Sequence, residues 1–122
     1  MFAAADRIEA LMDGFSRKEL ADSTPCAGMD EDRLVQALAL THAELVLIHP
    51  FREGNGRCAR LLAWLMALQA GQPALDFTPL AGRGKAAYIA AIHLAVAHNY
   101  APMEQCFRRV FSRTLRPYHG QA

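Results

Sequence analysis

Residues 31–70, EDRLVQALALTHAELVLIHPFREGNGRCARLLAWLMALQA, hold two long runs of apolar spacing parted by a short glycine-rich break, and that arrangement decides the fold. In the first run Leu34, Leu38, Leu45 and Ile48 fall on one helical face, which predicts a buried helix over 31–48. Asp30 or a neighbour is suited to cap it, since a short polar side chain can accept from the orphan N–H groups of a first turn. Pro50 disfavours helical geometry at the residue before it, so the helix should stop near His49. The second run carries Leu61, Leu62, Trp64, Leu65 and Leu68 over a broad apolar face from Gly56 to Ala70, with Gly71 and Pro73 as a natural stop. It reads as the central helix.

Working outward, Ile8, Leu11, Met12 and Phe15 form a short amphipathic stretch that Gly14 is expected to end. A loop with turn chemistry at Ser23-Thr24-Pro25-Cys26-Ala27-Gly28 follows. Beyond a second loop containing Pro79, Gly82 and Gly84, two further helical runs carry Tyr88, Ile89, Ile92 and Val96, then Met103, Phe107, Val110 and Phe111, with Pro102 suited to a first turn. No alternating strand pattern appears. The fold class is all-α, a compact bundle of about five to six helices packed around residues 34–48 and 57–70.

Composition sets the outer limits. The 122 residues are 52% hydrophobic, enough for one domain over 1–122 with its own core and no metal or disulfide staple. Cys26, Cys58 and Cys106 are an odd number at wide spacing with no C-x-x-C, so neither a disulfide framework nor a zinc site is suggested, and they read as reduced, cytoplasmic thiols. No apolar run is long enough to span a bilayer, and no signal pattern opens the chain. The net charge of +1 hides a split: residues 1–53 hold ten acidic and five basic side chains, whereas 54–122 hold two and eight. A basic second half suits an anionic small ligand or a nucleic acid, and solvated helix faces give the same counts.

The break between the long helices carries the chemistry. Two glycines flank Asn55, and Arg57 and Arg60 fall in the first turn of the following helix, where a positive helix end disfavours cations unless an anion joins them. Gly54 and Gly56 let backbone amides approach a polyphosphate, and the arginines at i and i+3 reach it from one side. Glu53 is placed to hold Mg²⁺ against such phosphates. Histidine is the residue type suited to a general base at neutral pH, and His49 stands at the mouth of the loop.

The segment His49-Pro50-Phe51-x-Glu53-Gly54-Asn55-Gly56-Arg57-x-x-Arg60 resembles the full Fic-family signature, H-[PX]-F-x-[DE]-G-N-G-R-x-x-R, without departure. Thr41-His42-Ala43-Glu44-Leu45 and Tyr88-Ile89-Ala90-Ala91 are also of the family type, so the similarity covers most of the chain. The resemblance implies a protein adenylyltransferase. His49 would deprotonate a Tyr, Thr or Ser hydroxyl of a target protein, which attacks the α-phosphorus of ATP as pyrophosphate leaves. Phe51 would point into the core, Glu53 would bind Mg²⁺, and Gly54, Asn55 and Gly56 would form an anion hole. Arg57 and Arg60 would grip the β- and γ-phosphates. In the related death-on-curing kinases a lysine stands where Gly56 is here, so Gly56 implies AMP transfer.

Two family features are missing. No flap hairpin, the element that would dock the target as an added strand, is visible in residues 1–48; the chain reads as a core trimmed upstream of residue 1 or naturally reduced. No [ST]-x-x-x-E-[GN] inhibitory motif occurs, so regulation points to a separate antitoxin chain or to none. The alternative reading is a Fic remnant that holds nucleotide or a partner without turnover. Of the remaining signals, His42 reads as a packing residue, being a helical rise of about 10 Å from His49, and Gly82-Arg83-Gly84-Lys85 reads as a turn. Arg108, Arg109, Arg113 and Arg116 with Phe107, Phe111 and Tyr118 read as a solvated basic face in preference to a nucleic-acid surface.

Overall fold

The structure is a computed structural model that describes residues 4–120, with side chains described up to residue 115. It is all-α: α1 (Ile8–Arg17), α2 (Glu19–Ser23), α3 (Glu31–Ile48), α4 (Asn55–Gln69), α5 (Lys85–Ala95) and α6 (Ala101–Gly120), with short 3-10 turns at Ala5–Arg7, Thr78–Leu80 and Gly82–Gly84. Among the described residues there is no strand. None of these helices is long and apolar enough to cross a membrane.

Asp30 caps α3 as expected, its Oδ1 accepting from the Arg33 N–H at 2.8 Å, and Glu31 and Asp32 add negative charge to the first turn. The helix ends where Pro50 requires, and His49 closes it in a left-handed conformation (φ 55°, ψ 58°). Glycine terminates α4: Gly71 (φ 81°) donates to Leu68 O at 3.0 Å and Gln72 to Ala67 O at 2.9 Å, the paired bonds of a Schellman stop.

The centre of the bundle is α3, not α4. Leu34, Val35, Ala37, Leu38, Ala39, Ala43, Leu45, Val46 and Ile48 are all buried, and α3 touches each of the other five helices. By contrast, α4 lies against α3 alone among the helices. It does so through Ala59, Ala63, Met66 and Ala67, leaving Leu61, Trp64, Leu65 and Leu68 between 40% and 52% exposed. The expected central helix is therefore peripheral. Three alanines on one side let the two backbones approach closely, and that contact outweighs burial of the bulkier side.

Two other expectations change. Gly14 does not end α1, which runs on to Arg17, because Phe15 is buried and Leu11 and Met12 pack against the core from the same helix. The stretch after it is not all loop, since α2 occupies Glu19–Ser23. Long-range bonds then tie the periphery together: the Cys26 N–H donates to Gln69 Oε1 at 2.9 Å, Tyr100 Oη donates to Glu44 Oε2 at 3.1 Å, and the Asp76 N–H donates to Thr114 Oγ1 at 2.8 Å. All three cysteines are free. Burial pushes the thiols of Cys26 and Cys106 up from their ordinary pKa, whereas Cys58, in the first turn of α4, is only partly covered.

Among the described glycines, Gly84 has the closest approach to another element. A Cβ built there would stand 1.7 Å from the Pro79 carbonyl oxygen, so Gly84→Ala must push one 3-10 turn off the other and should cost about 2–3 kcal/mol. Gly14 meets nothing within 4 Å and has ordinary helical geometry, so Gly14→Ala should instead stabilise by about 0.5–1 kcal/mol. Denaturant melts of the two variants, moving in opposite directions from the parent, check both statements.

Candidate active site

The loop between α3 and α4 is closed by Asn55. Its Oδ1 accepts from the Phe51 N–H at 2.8 Å and its Nδ2 donates to the Phe51 carbonyl at 2.6 Å, with the side chain buried at 6% exposure. This double bond to one residue's backbone fixes the path from His49 to the start of α4. Phe51 itself is 53% exposed, which corrects the expectation that its ring anchors the loop in the core. The anchoring runs through its backbone, so the ring is left outside.

The start of α4 is built unlike that of α3. Its N-cap is Gly54 at φ 81°, a conformation that side-chain-bearing residues resist, and no side chain caps it. No acidic residue lies in its first turn, although a carboxylate is normally favoured there. The orphan N–H groups of residues 55–57 thus have no side-chain cap and no acidic residue of their own first turn beside them. Arg57 and Arg60 are both exposed beside it. The Arg60 guanidinium lies back over Gly56, its Nη1 3.1 Å from where a Cβ would be, so any side chain at position 56 would have to displace it. None of the ion pairs among the described residues involves Glu53, Arg57 or Arg60.

The sequence-derived residues are therefore brought together. His49, partly exposed and with its Nδ1 shielded from solvent, ends α3; Glu53 projects from the loop; Gly54, Gly56, Arg57 and Arg60 surround the α4 start. The Asn55 side chain is committed to Phe51, which leaves its backbone N–H to face a ligand. Among the described residues no group of three or more His, Cys, Asp or Glu side chains could hold a metal. A divalent ion would rest on Glu53 together with ligand oxygens and water, as Mg²⁺ commonly does.

Behind the loop lies an arrangement that spacing along the chain could not give. His42 is buried, and its Nδ1 is 3.3 Å from the Ala59 carbonyl while its Nε2 is 2.7 Å from Tyr88 Oη. A carbonyl can only accept, so Nδ1 carries the proton, Nε2 is the acceptor and the Tyr88 hydroxyl donates to it. The imidazole links α3, α4 and α5 and stacks edge-on to Phe107 at 5.4 Å. Tyr88 also lines a cavity of about 390 Å³ with Arg60, Phe77, Thr78, Leu80 and Ala81, next to the arginine-bearing helix start. His42 is a packing residue, as read. The signal that could have found its partner was a tyrosine within an otherwise apolar helical run.

The sequence matches the Fic/DOC family over residues 1–67. The chain belongs to that family. It is 34% identical over 86 residues to the protein adenylyltransferase fic-1 of Caenorhabditis elegans, covering 70% of this chain and 16% of the relative. It is 36% identical over 70 residues to the protein adenylyltransferase VbhT of Bartonella schoenbuchensis, covering 57% and 14%. A third similarity, 51% over 39 residues, is to the protein adenylyltransferase Fic of Nematostella vectensis, covering 32% and 9%. The chain thus spans a sixth or less of the length of these relatives.

On α6, Phe107 and Phe111 are buried and cannot stack on bases. Arg108 pairs with Asp32 at 3.0 Å and Arg113 with Asp76 at 3.2 Å, while the side chains of Arg116 and Tyr118 lie outside the described residues.

Two outcomes follow. Burial drops the His42 pKa from its ordinary 6.5 to about 4, so between these values the unfolded chain takes up a proton that the folded chain refuses. This contribution to stability is intact above about pH 6.5 and is lost as pH falls toward 4, amounting to about 3 kcal/mol. Melts across that window should show the slope in the parent and lose that component in His42→Gln. Separately, Asn55→Ala removes both bonds to Phe51. It should cost about 1–2 kcal/mol and speed tryptic cleavage after the exposed Arg52, an increase that mass spectrometry of the fragments would time.

Proposed function

We propose that this chain is the catalytic core of a protein adenylyltransferase, transferring AMP from ATP to a Tyr, Thr or Ser hydroxyl of a target protein. The observation that carries this reading is the start of α4: uncapped, free of acidic residues, bearing two arginines, and joined to His49 by a loop that Asn55 holds in one shape. The family membership and the names of the relatives support it.

In this reading the orphan N–H groups of α4 and the Arg57 and Arg60 guanidiniums bind the triphosphate and stabilise negative charge gathering on the departing pyrophosphate. His49 accepts the proton of the target hydroxyl, whose oxygen forms the new bond to the α-phosphorus as the bond to the bridging oxygen breaks. Its backbone is left-handed at the end of α3; such strain recurs at functional positions. Glu53, exposed and outside every ion pair of the described residues, fits a role in holding Mg²⁺, which would neutralise phosphate charge when bound. Gly56 leaves room for Arg60 to lie across the helix start, an arrangement suited to AMP transfer. The cytoplasm as the site of action, and a separate inhibitory antitoxin chain, belong to the same proposal.

The test is a pair of labels. With Mg²⁺ and a protein substrate, label should pass from α-labelled ATP and none from γ-labelled ATP, with the mass of AMP added. His49→Ala should abolish transfer and leave ATP binding within a few-fold, because a lost base removes a transition-state interaction. Arg57→Ala should weaken Mg–ATP binding at least tenfold, and Arg108→Ala, whose guanidinium is paired with Asp32, should not. Transfer of γ-label would mean a reversed nucleotide, and binding with no transfer would favour a nucleotide-holding remnant.

A further inference from the structure

The proposed phosphate grip stands on the first two turns of α4, and that helix start has no side-chain cap. Two ties to its surroundings hold it in place. Asn55 joins its first residue to Phe51 of the loop. One turn on, the Nδ1–H of His42 on α3 donates to the carbonyl of Ala59, the residue before Arg60. The same imidazole accepts from Tyr88 Oη of α5, and Tyr88 forms a wall of the cavity of about 390 Å³ that Arg60 also lines. We propose that His42 and Tyr88 are positioning residues of the triphosphate site, holding the Arg60-bearing turn of α4 where its guanidinium meets a phosphate, a role that rests on the function proposed above.

Packing alone does not account for an imidazole here. His42 is 1% exposed, and an apolar side chain of similar size would fill the space without burying two polar nitrogens. What the imidazole adds is direction. The Tyr88 hydroxyl, 2.7 Å from Nε2, donates to it and so keeps the ring proton on Nδ1, facing Ala59. With the proton on Nε2 instead, two lone pairs would face each other across the contact between Nδ1 and Ala59. Phe107, edge-on at 5.4 Å, limits turning of the ring. Burial is the main cause of the lowered pKa of His42 and the raised pKa of Tyr88, and the Arg60 charge acts on both groups, so its guanidinium lies within electrostatic reach of the pair. Arg60 is long and exposed, and a small rotation of α4 about its axis swings the tip of this side chain further than its backbone. A displacement of about 1 Å at a group that positions a substrate can cost about a hundredfold.

Magnesium pyrophosphate is the probe, because it engages the phosphate grip without the rest of a nucleotide. Its affinity for the 122-residue chain should be measured by calorimetry below the melting temperature of every variant, with circular dichroism to verify the helices. His42→Leu removes both bonds and should weaken binding about tenfold. His42→Gln keeps a donor for Ala59 and an acceptor for Tyr88, so it should stay within about twofold of the parent. Tyr88→Phe should weaken binding about threefold, and nitrogen NMR of the ring should show the His42 proton spread over both nitrogens where the parent holds it on Nδ1. Unchanged affinity in folded His42→Leu would reduce His42 to packing and overturn the role. Equal losses in His42→Leu and His42→Gln, or a parent ring protonated on Nε2, would also overturn it. If His42→Leu does not fold, Tyr88→Phe decides: a redistributed proton with parent affinity sinks the proposal. A parent chain that binds no pyrophosphate would instead remove the phosphate site itself, and this role with it.

Discussion

Every helix of this protein is placed by its need to reach α3. With eighteen residues and apolar side chains on nearly all its faces, α3 cannot be a surface helix, and its stability depends on neighbours closing around it. That one constraint has a cost at its centre, because Thr41 and His42 are buried along with the leucines. Thr41 returns its hydroxyl to the Ala37 carbonyl at 2.9 Å, and His42 finds Ala59 and Tyr88. The polar groups of α3 therefore fix which stretch of α4 and which turn of α5 may sit beside it, where leucines alone would tolerate sliding.

The same constraint positions the loop between α3 and α4. Because α3 and α4 are held together along their length, the five residues between Ile48 and Gly54 must turn within a short span. Asn55 converts that turn into a defined shape through two bonds to Phe51. A helix start that lacks both a cap and acidic residues is less stable than it could be. Here the shortfall sits beside the residues that make the family signature, a common bargain in which local stability yields to a binding surface.

Much of this was legible in the sequence, and the reasons differ by residue. Asp30, Pro50 and Gly71 act on their immediate neighbours, so the ends of α3 and α4 could be read directly. The signature from His49 to Arg60 was legible for the same reason: its parts are contiguous, and their juxtaposition needs no knowledge of the fold. What escaped depended on contacts far apart in the chain. Apolarity alone suggested that α4 would bury its leucines, but the small side chains of Ala59, Ala63 and Ala67 determine how closely it meets α3. The end of α1 was misjudged because a helix-interior glycine costs only about 1 kcal/mol, which the burial of Phe15 offsets. The two bonds from the Asn55 side chain to Phe51 also escaped, since they depend on the path the loop takes. The partnership of His42 with Tyr88 spans 46 residues and could not be seen before the helices were assembled.

The distribution of the three thiols has a practical side. Cys26 and Cys106 are sealed in the core and resist ionisation, while Cys58 stands in the first turn of α4, partly open and one residue from Arg57. A mild alkylating dye would therefore mark a single position in the native protein. That position shares the first turn of α4 with Arg57, so under the proposed function a dye there would report nucleotide occupancy without an engineered cysteine.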